Sequence, residues 1–306
     1  MCVGSSGLTL SELFSAIANG PVDVAGRIFW YARLPRTAAC VLAGAALAVS
    51  GAVIQGVLAN KLASPGIIGV NAGSGLAVTI CCAVGALSGW VVAGAAFAGA
   101  LIAVMTVVLA AQKLRASKTV VVLGGVALNS CLSAASEAIT VLVPDAGVQA
   151  ADFRMGGFSS VAHTRLIPAG IMIIAALAVI FTLLNELEVL SLGEDSAQGL
   201  GLPARRMRTI LLGLAALLAG SAVSFAGLLG FVGLIVPHMA RRIMPGGSNR
   251  LIPFCAIGGA ALVTLCDLLS RTLFSPHEIP AGIPLAFIGG PLFILLLVKS
   301  RREESE

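Results

Sequence analysis

Glu137 lies inside a long apolar run and is the first residue of this sequence that could do chemistry. A carboxylate in a membrane-spanning segment is costly, so it marks a functional site by default. A packed, hydrogen-bonded or protonated structural glutamate would explain the same residue. His238 follows Pro237 in another apolar stretch, where a lone histidine is more typical of packing or helix capping than of metal binding.

The sequence has no recognisable pattern for catalysis or metal binding. No Gly-Lys-Ser or Gly-Lys-Thr sequence occurs, so any ATP that drives this protein must bind another chain. The net charge of +5 does not indicate nucleic-acid binding, because the basic residues are spread over loops. We expect no catalytic residue, metal site or cofactor in this chain. Six of its cysteines lie in apolar segments without metal-ligand spacing and are interpreted as packing residues: Cys40, Cys81, Cys82, Cys131, Cys255 and Cys266.

Two arginines, Arg33 and Arg36, precede the first long apolar run. Their guanidinium groups could anchor lipid headgroups. They could also dock carboxylates of an external protein, because the arginine fork matches a carboxylate. Arg271 lies near the end of a later apolar run, with Asp267 one helical turn earlier, so an internal ion pair is the alternative to docking there.

The elements that position these residues are membrane-spanning helices. The chain is 58% hydrophobic and 11% charged, whereas a soluble domain carries roughly a quarter charged residues. Small residues recur four positions apart, as in Gly44/Ala48 and Gly69/Gly73, which allows close helix contacts. The seventh apolar run is too short to cross fully and is predicted to be a half-helix buried in protein. The sequence therefore predicts an all-α polytopic membrane protein with about nine spans: 36–58, 67–87, 90–111, 120–143, 166–184, 207–226, 228–239, 251–274 and 282–298.

The distribution of Lys and Arg predicts the orientation of these spans, because cytoplasmic loops carry the excess. With the C-terminal tail inside, every lysine lies inside. The odd number of spans then leaves the N-terminus outside, so we expect the N-terminus as given to be incomplete or atypical. Residues 8–18 could form a short amphipathic helix before the first span. Six of the 19 basic residues lie outside: Arg27, Arg33, Arg36, Arg154, Arg165 and Arg271.

The longest polar interruption of the chain is 185–208, which is cytoplasmic in this orientation. Gly193, Gly199, Gly201 and Pro203 divide it into two short pieces. Such a pair of short amphipathic helices is typical of a surface offered to a partner, and a helix lying in the lipid interface is the alternative. Apolar residues at helical spacing could line one side: Leu187, Leu190, Leu192, Ala197, Leu200 and Leu202.

Residues 60–66 follow the first predicted span on its cytoplasmic side. Pro65 and Gly66 stop the helix and redirect the chain. A simple turn explains this composition. At the inner end of a translocation path, the same residues could form a constriction.

Several long segments resemble, in order, the FecCD-type permeases, which are the membrane subunits of ABC importers for ferric siderophores, haem and cobalamin. The segment AGLLGFVGLIVPHMARR at 226–242 is similar to the most recognisable signature of that family. The segment LGEDSAQGLGL at 192–202 resembles its cytoplasmic coupling segment. The similarity continues in RLPRTAACVLAGAALAVSGAVIQGVLANKLASPGIIGVNAGSG at 33–75, in DLLSR at 267–271 and in EIPAGIPLAFIGGPLFILLL at 278–297.

The resemblance implies the architecture of a type II ABC importer permease, a single transmembrane domain over 1–306 with coupling helices at 191–206. That family has ten spans per subunit, and the first would be missing here. A second gate would lie near 117–119, and Lys61 stands where many members have proline. The resemblance implies three sets of site residues: Arg33, Arg36 and Arg271 for docking glutamates of a binding protein, Asn60 and Leu62 for a cytoplasmic gate, and Leu192, Gly193, Glu194, Ala197, Leu200 and Gly201 for contact with the ATPase.

The implied function is import of a metal chelate, most simply a ferric siderophore, with haem and cobalamin as further options. The implied partners are ABC ATPase subunits that carry ATP and Mg²⁺, an extracytoplasmic substrate-binding protein, and a second permease subunit, either a copy or a paralogue. The expected location is the cytoplasmic membrane of a bacterium or archaeon. The alternative is a secondary transporter driven by an ion gradient, which would need intramembrane acids to bind ions. Only Glu137 and Asp267 qualify for that role.

Overall fold

The computed structural model describes residues 20–113, 118–159, 163–273 and 277–303, together with Ser15, Ala16, Ala18 and Val161. Within these residues the regular secondary structure is helical, which confirms the predicted all-α class. A π-helical turn, Phe29–Arg33, joins the first two helices. The helices are α1 Val24–Ile28, α2 Leu34–Leu58, α3 Val70–Ala83, α4 Gly89–Lys113, α5 Lys118–Leu142, α6 Pro144–Met155, α7 His163–Thr182, α8 Leu184–Ser191, α9 Glu194–Gly199, α10 Ala204–Ala226, α11 Val232–Ile243, α12 Ser248–Thr272 and α13 Gly282–Glu303.

The helices follow the predicted spans closely. Six of the described helices are long and apolar enough to cross a membrane, and two shorter apolar helices accompany them. Each predicted span overlaps one of these eight helices or the 12-residue α11, which is short as expected. The exact number of crossings stays a prediction. The predicted helix at 8–18 lies mostly outside the described residues.

Helix α6 was not predicted. The sequence around it has no apolar run, and Pro144 stands in its first turn, where proline is favoured. Ala146 and Ala150 of α6 are buried against α3 and α4 in a small cluster of their own. The helix therefore forms because one face packs on its neighbours, a contact that local composition does not reveal.

Helix α2 is the centre of the bundle, and small residues allow other helices to approach its backbone. A Cβ atom at Gly44 would overlap the carbonyl oxygen of Gly259 in α12, and one at Gly51 would overlap that of Gly233 in α11. The predicted close contact at Gly44 is therefore present, since only the absence of side chains permits this distance.

The helix ends form two sets. Arg36 at the start of α2 forms ion pairs with Asp267 near the end of α12 and with Glu278 just before α13. At the opposite end of α2, a cavity is lined by Lys113 of α4 and Arg205 of α10, both at helix ends. Following the orientation predicted from charge, we name the first the outer end and the second the inner end.

Three connections meet at the outer end and fix the position of α6. The Leu228 amide donates to the Phe153 carbonyl at 2.9 Å, and the Gly157 amide donates to the Ala226 carbonyl at 2.8 Å. The Gly282 amide donates to the Gly156 carbonyl at 3.0 Å. These bonds tie the end of α6 to the end of α10 and the start of α13, so that the three elements are held together.

Candidate functional site

The outer end holds a cluster of four charged side chains. Arg36 Nε and NH2 each donate to Asp267 Oδ1 at 3.0 Å, and its NH1 donates to Glu278 Oε2 at 2.8 Å. Arg271 Nε lies 3.1 Å from Asp267 Oδ2. The Asp267 side chain is 1% exposed, so its charge is compensated by two guanidinium groups rather than by water.

This cluster qualifies the predicted docking role of the arginines. Arg271 has the internal partner Asp267 that its spacing allowed, and Arg36 shares that partner. Arg33 is 6% exposed and therefore lies inside the chain, although the sequence placed it at the outer mouth. Glu278 is the most exposed member of the cluster, with 33% of its side chain accessible. Glu278 was not among the predicted site residues, although it follows Arg271 by seven positions.

A cavity of about 430 Å³ opens beside the cluster. Arg36 and Glu278 line one part of its wall, while Asp152 of α6 and Arg165 of α7 line another. Both signs of charge are present, so this cavity can accept polar or charged groups that approach from the outer end. Arg165 packs across Gly89, where any Cβ atom would overlap its guanidinium group.

The polar interruption 185–208 contains two short helices, α8 and α9, but its apolar residues do not share one side. Leu187, Leu190 and Ala197 are buried in the core of this chain. Leu192 and Leu200, by contrast, are 66% and 67% exposed. The prediction of a single apolar side is wrong because Leu192 follows Leu190 by only two positions and therefore lies on another face, while Leu200 comes after the end of α9. The chain also turns between the two helices at Gly193, where φ is +113°.

The exposed part of this stretch is shaped by glycines. A Cβ atom at Gly193, Gly199 or Gly201 would meet no other atom within 4 Å, so all three border open space. Gly201 also has a positive φ of +80°, which favours glycine. Glu194 begins α9, and its side chain lies outside the described residues. Leu192 and Leu200 therefore flank an open surface at the inner end, defined here as the coupling surface.

The coupling helices are tied to the bundle by a helix cap. The Ser248 amide, at the start of α12, donates to Glu188 Oε2 of α8 at 3.0 Å. A carboxylate at a helix N-terminus is stabilised by the unpaired amides and the helix dipole there. The cap therefore connects α8 to the start of α12, whose far end carries Asp267 and Arg271.

The predicted gate residues lie in a tight turn after α2. The Leu62 amide donates to Asn60 Oδ1 at 2.9 Å, and the Leu62 side chain is 46% exposed. Ala59, which precedes them, has a left-handed φ of +47°, and the amides of Ala59 and Asn60 donate to Gly56 and Gln55 carbonyls. The turn is thus a helix C-cap with alanine where glycine is usual. The second predicted gate, 117–119, lies partly outside the described residues.

The two remaining candidates differ in their surroundings. His238 is half-buried in α11. Glu137 is exposed on α5 and lines a polar groove between α3, α5 and α6, together with Arg154. Arg154 was predicted only to be one of the outer basic residues. Its place in this groove follows from α6, which was not predicted.

A sequence model described as the FecCD transport family matches residues 1–299. The chain is 38% identical over 276 residues to the Fe(3+)-citrate import system permease protein YfmE of Bacillus subtilis, covering 89% of this chain and 82% of that protein. It is 36% identical over 312 residues to the vitamin B12 import system permease protein BtuC of Citrobacter koseri, covering 99% of this chain and 90% of that protein.

Among solved structures, the fold matches an inward-facing conformation of a proposed metal-chelate type ABC transporter. The TM-score is 0.84 at 28% sequence identity, and the match covers 95% of this chain and 97% of that chain.

Proposed function

Because this chain belongs to the FecCD transport family, we propose that it is the membrane-spanning permease subunit of an ABC importer for a metal chelate. The observation that carries this proposal is the extent of the similarity: relatives with permease functions match the chain over nearly its whole length. In such an importer ATP binds to a partner chain, which agrees with a sequence that has no nucleotide-binding motif.

The proposed cargo is a ferric siderophore, with haem and cobalamin as the other chelates in the range of the family. A bulky chelate needs a wide path without fixed metal ligands. The lack of His, Cys and carboxylate clusters in the sequence is compatible with such a path. The relatives named above import ferric citrate and vitamin B12, so similarity alone supports the class of cargo rather than one compound.

The coupling surface supports the proposal of an ATPase partner. Leu192 and Leu200 expose apolar area at the inner end, beside three glycines that leave room for another chain. Burying such leucines in a groove of the ATPase would stabilise the complex through the hydrophobic effect. ATP and Mg²⁺ would bind to that partner.

The charged cluster supports docking of a substrate-binding protein at the outer end. Arg36 and Arg271 share the buried carboxylate of Asp267, and Arg36 also pairs with Glu278, so a further carboxylate would bind by exchange for an internal acid. A glutamate of the binding protein would replace Glu278 on Arg36, because Glu278 is the most accessible acid there. Arg33, being buried, would support this surface from within rather than touch the partner.

The proposed mechanism is alternating access. Two permease subunits, either two copies or this chain with a paralogue, would enclose a central path in the cytoplasmic membrane of a bacterium or archaeon. ATP-driven closure of the ATPases would move α8 and α9, and the cap between Glu188 and Ser248 would carry this movement to α12. Asn60 and Leu62 would then open or close the inner end.

The test is ATP-dependent uptake in proteoliposomes that contain the permease, its ATPase and the binding protein. We expect a ferric chelate to accumulate only when ATP is enclosed with the ATPase, and to accumulate equally when ionophores dissipate ion gradients. Uptake that needs no ATP and stops with the ionophores would instead establish a secondary transporter.

A further inference from the structure

Helix α5 carries a polar stripe along a membrane-spanning helix. Its polar side chains recur at intervals of three, four and one residues, which places them on one face. Only 17% of its most apolar window is buried within the chain, the smallest share among the six long apolar helices described. Polar side chains at this depth face water or protein rather than lipid. The stripe consists of Asn129, Ser133, Ser136, Glu137 and Thr140.

The stripe borders a groove with a volume of about 260 Å³. Asn71 and Gly75 of α3 form the facing wall, and Arg154 closes the outer side. A pocket for a complete drug-sized ligand usually has a volume of about 300–1,000 Å³. The groove is therefore the right size for one arm of a large chelate, but too small for the whole molecule.

Arg154 is fixed in the groove by uncharged groups. Its NH2 donates to Ser136 Oγ at 2.7 Å, to Thr79 Oγ1 at 3.2 Å and to Thr140 Oγ1 at 3.4 Å. These hydroxyl groups position the guanidinium group but do not neutralise it. Its positive charge therefore remains able to attract a carbonyl or anionic oxygen of a ligand.

Acceptors lie on the α5 side of the same groove. Asn129 Oδ1 is shielded from solvent and has no hydrogen-bond partner among the described residues. A shielded acceptor without a donor costs free energy, so it favours a ligand that supplies an N–H or O–H group. The exposed Glu137 carboxylate, which lines the groove, is a second and stronger acceptor.

We propose that this groove binds a free amide group on an arm of the transported chelate, a proposal that rests on the function proposed above. The carbonyl oxygen of this amide would accept from Arg154, and its N–H group would donate to Glu137 or Asn129. Arg154 could pair with only one carboxylate of a polycarboxylate chelate, and Glu137 would repel the others. A flat apolar ligand would leave the polar groups unpaired. The groove therefore selects uncharged, amide-rich cargo.

The test measures binding to the permease–ATPase complex in lipid nanodiscs, without the binding protein, so that the permease alone sets the preference. The probes are the uncharged ferric trihydroxamate ferrioxamine E, cyanocobalamin with its amide arms, and ferric citrate. We expect at least one of the first two to bind more tightly than ferric citrate. Tighter binding of ferric citrate than of both amide-bearing probes would overturn the proposal.

Variants test the groove itself. Glu137→Gln should weaken binding of the preferred probe about tenfold, because a charge-assisted hydrogen bond is lost. The difference in affinity between that probe and ferric citrate should therefore become smaller. Asn129→Ala should weaken binding in the same direction by about fivefold. The matched control is Asp145→Asn at the start of α6, an exposed carboxylate that does not line the groove, and it should leave binding unchanged.

The outcomes separate this proposal from the one it rests on. If wild-type proteoliposomes accumulate a ferric chelate or cobalamin with ATP, but Glu137→Gln and Asn129→Ala bind all probes as wild type does, the groove has no role in selection while the importer stands. If wild-type proteoliposomes accumulate no chelate, the proposed function fails and the groove proposal fails with it.

Discussion

Arg36 and Asp267 join the start of α2 to the end of α12 through two hydrogen bonds of 3.0 Å, across 231 positions of the sequence. Their contact closes the outer end of the helix pair that packs around Gly44 and Gly259. Since Arg271 and Glu278 join the same cluster, stability and docking depend on shared groups. The first two predictions separate these roles.

Asp267→Asn should lower the free energy of unfolding by about 3–5 kcal/mol, because it leaves two largely buried guanidinium groups without their shared carboxylate. The measurement is thermal unfolding of the detergent-solubilised permease. The matched control is Glu278→Gln in the same cluster, which should cost about 1 kcal/mol or less because that pair is accessible to water. Equal melting temperatures for wild type and Asp267→Asn would contradict the structural role of the cluster.

Arg36→Glu and Arg271→Glu should each weaken association with the binding protein and reduce its stimulation of ATP hydrolysis, because the partner carboxylates would be repelled. Higher salt should have a similar effect on the wild type, since partly exposed charges are screened. The double variant Arg33→Glu with Arg36→Glu should associate more weakly still.

Glu278→Gln tests the same surface without disturbing the buried pair. It should strengthen association, because Arg36 NH1 loses the internal acceptor with which the partner competes. Surface plasmon resonance with the purified binding protein measures both the weaker association expected of the charge-reversed variants and the stronger association expected of Glu278→Gln. Unchanged association in the charge-reversed variants and in Glu278→Gln would leave anchoring of lipid headgroups as the role of the arginines.

Leu200→Ala should leave the permease stable but weaken its assembly with the ATPase. Leu200 is 67% exposed, so only a partner chain could bury its side chain. Loss of a fully buried leucine contact costs about 2 kcal/mol of binding free energy, which is about 30-fold in affinity. Gly193→Val should also impair coupling, because valine is disfavoured at φ of +113°. Co-purification of the ATPase and coupled uptake provide the measurements.

The matched control for the coupling surface is Leu190→Ala, two residues before Leu192. Leu190 is 2% exposed, so this variant should lower the stability of the permease itself by about 2–5 kcal/mol. Normal assembly and uptake in Leu200→Ala, Gly193→Val and Gly199→Val would reduce this stretch to an interfacial loop. Coupling would then be sought near Lys113 or Arg241.

Ala59→Gly should stabilise the turn that carries the gate residues by about 0.5–1 kcal/mol, because glycine adopts a left-handed φ without the Cβ penalty. The control is Ala134→Gly on the exposed face of α5, where the same substitution should lower the free energy of unfolding by about 1 kcal/mol because glycine disfavours a helix interior. Thermal unfolding compares the two variants. A loss of stability in Ala59→Gly would show that the alanine side chain contributes packing that outweighs its backbone strain.

The sequence by itself determined where the apolar helices lie and which family the chain belongs to. Apolar length is a local property, so each long run in the sequence appears as a helix. The short α11 was also recognised from length alone. The family signatures are contiguous segments, and the family comparison confirms the resemblance that they carry.

Only the tertiary structure decided which side chains meet and which remain exposed. Leu190 is buried, whereas Leu192 and Leu200 lie on the surface, although all three share an apolar character. Burial depends on which face of each short helix meets the rest of the bundle, and apolar character alone does not determine that face.

The charged residues show the same limit over longer distances. The spacing of one helical turn predicted the ion pair between Asp267 and Arg271. The contact between Asp267 and Arg36 forms only because α2 packs against α12. The groove around Glu137 required α6, a helix stabilised by packing rather than by local propensity. Local sequence patterns therefore determined the long apolar helices. The charged cluster and the groove depend on how distant helices pack, because each is made of contacts between residues far apart in the chain.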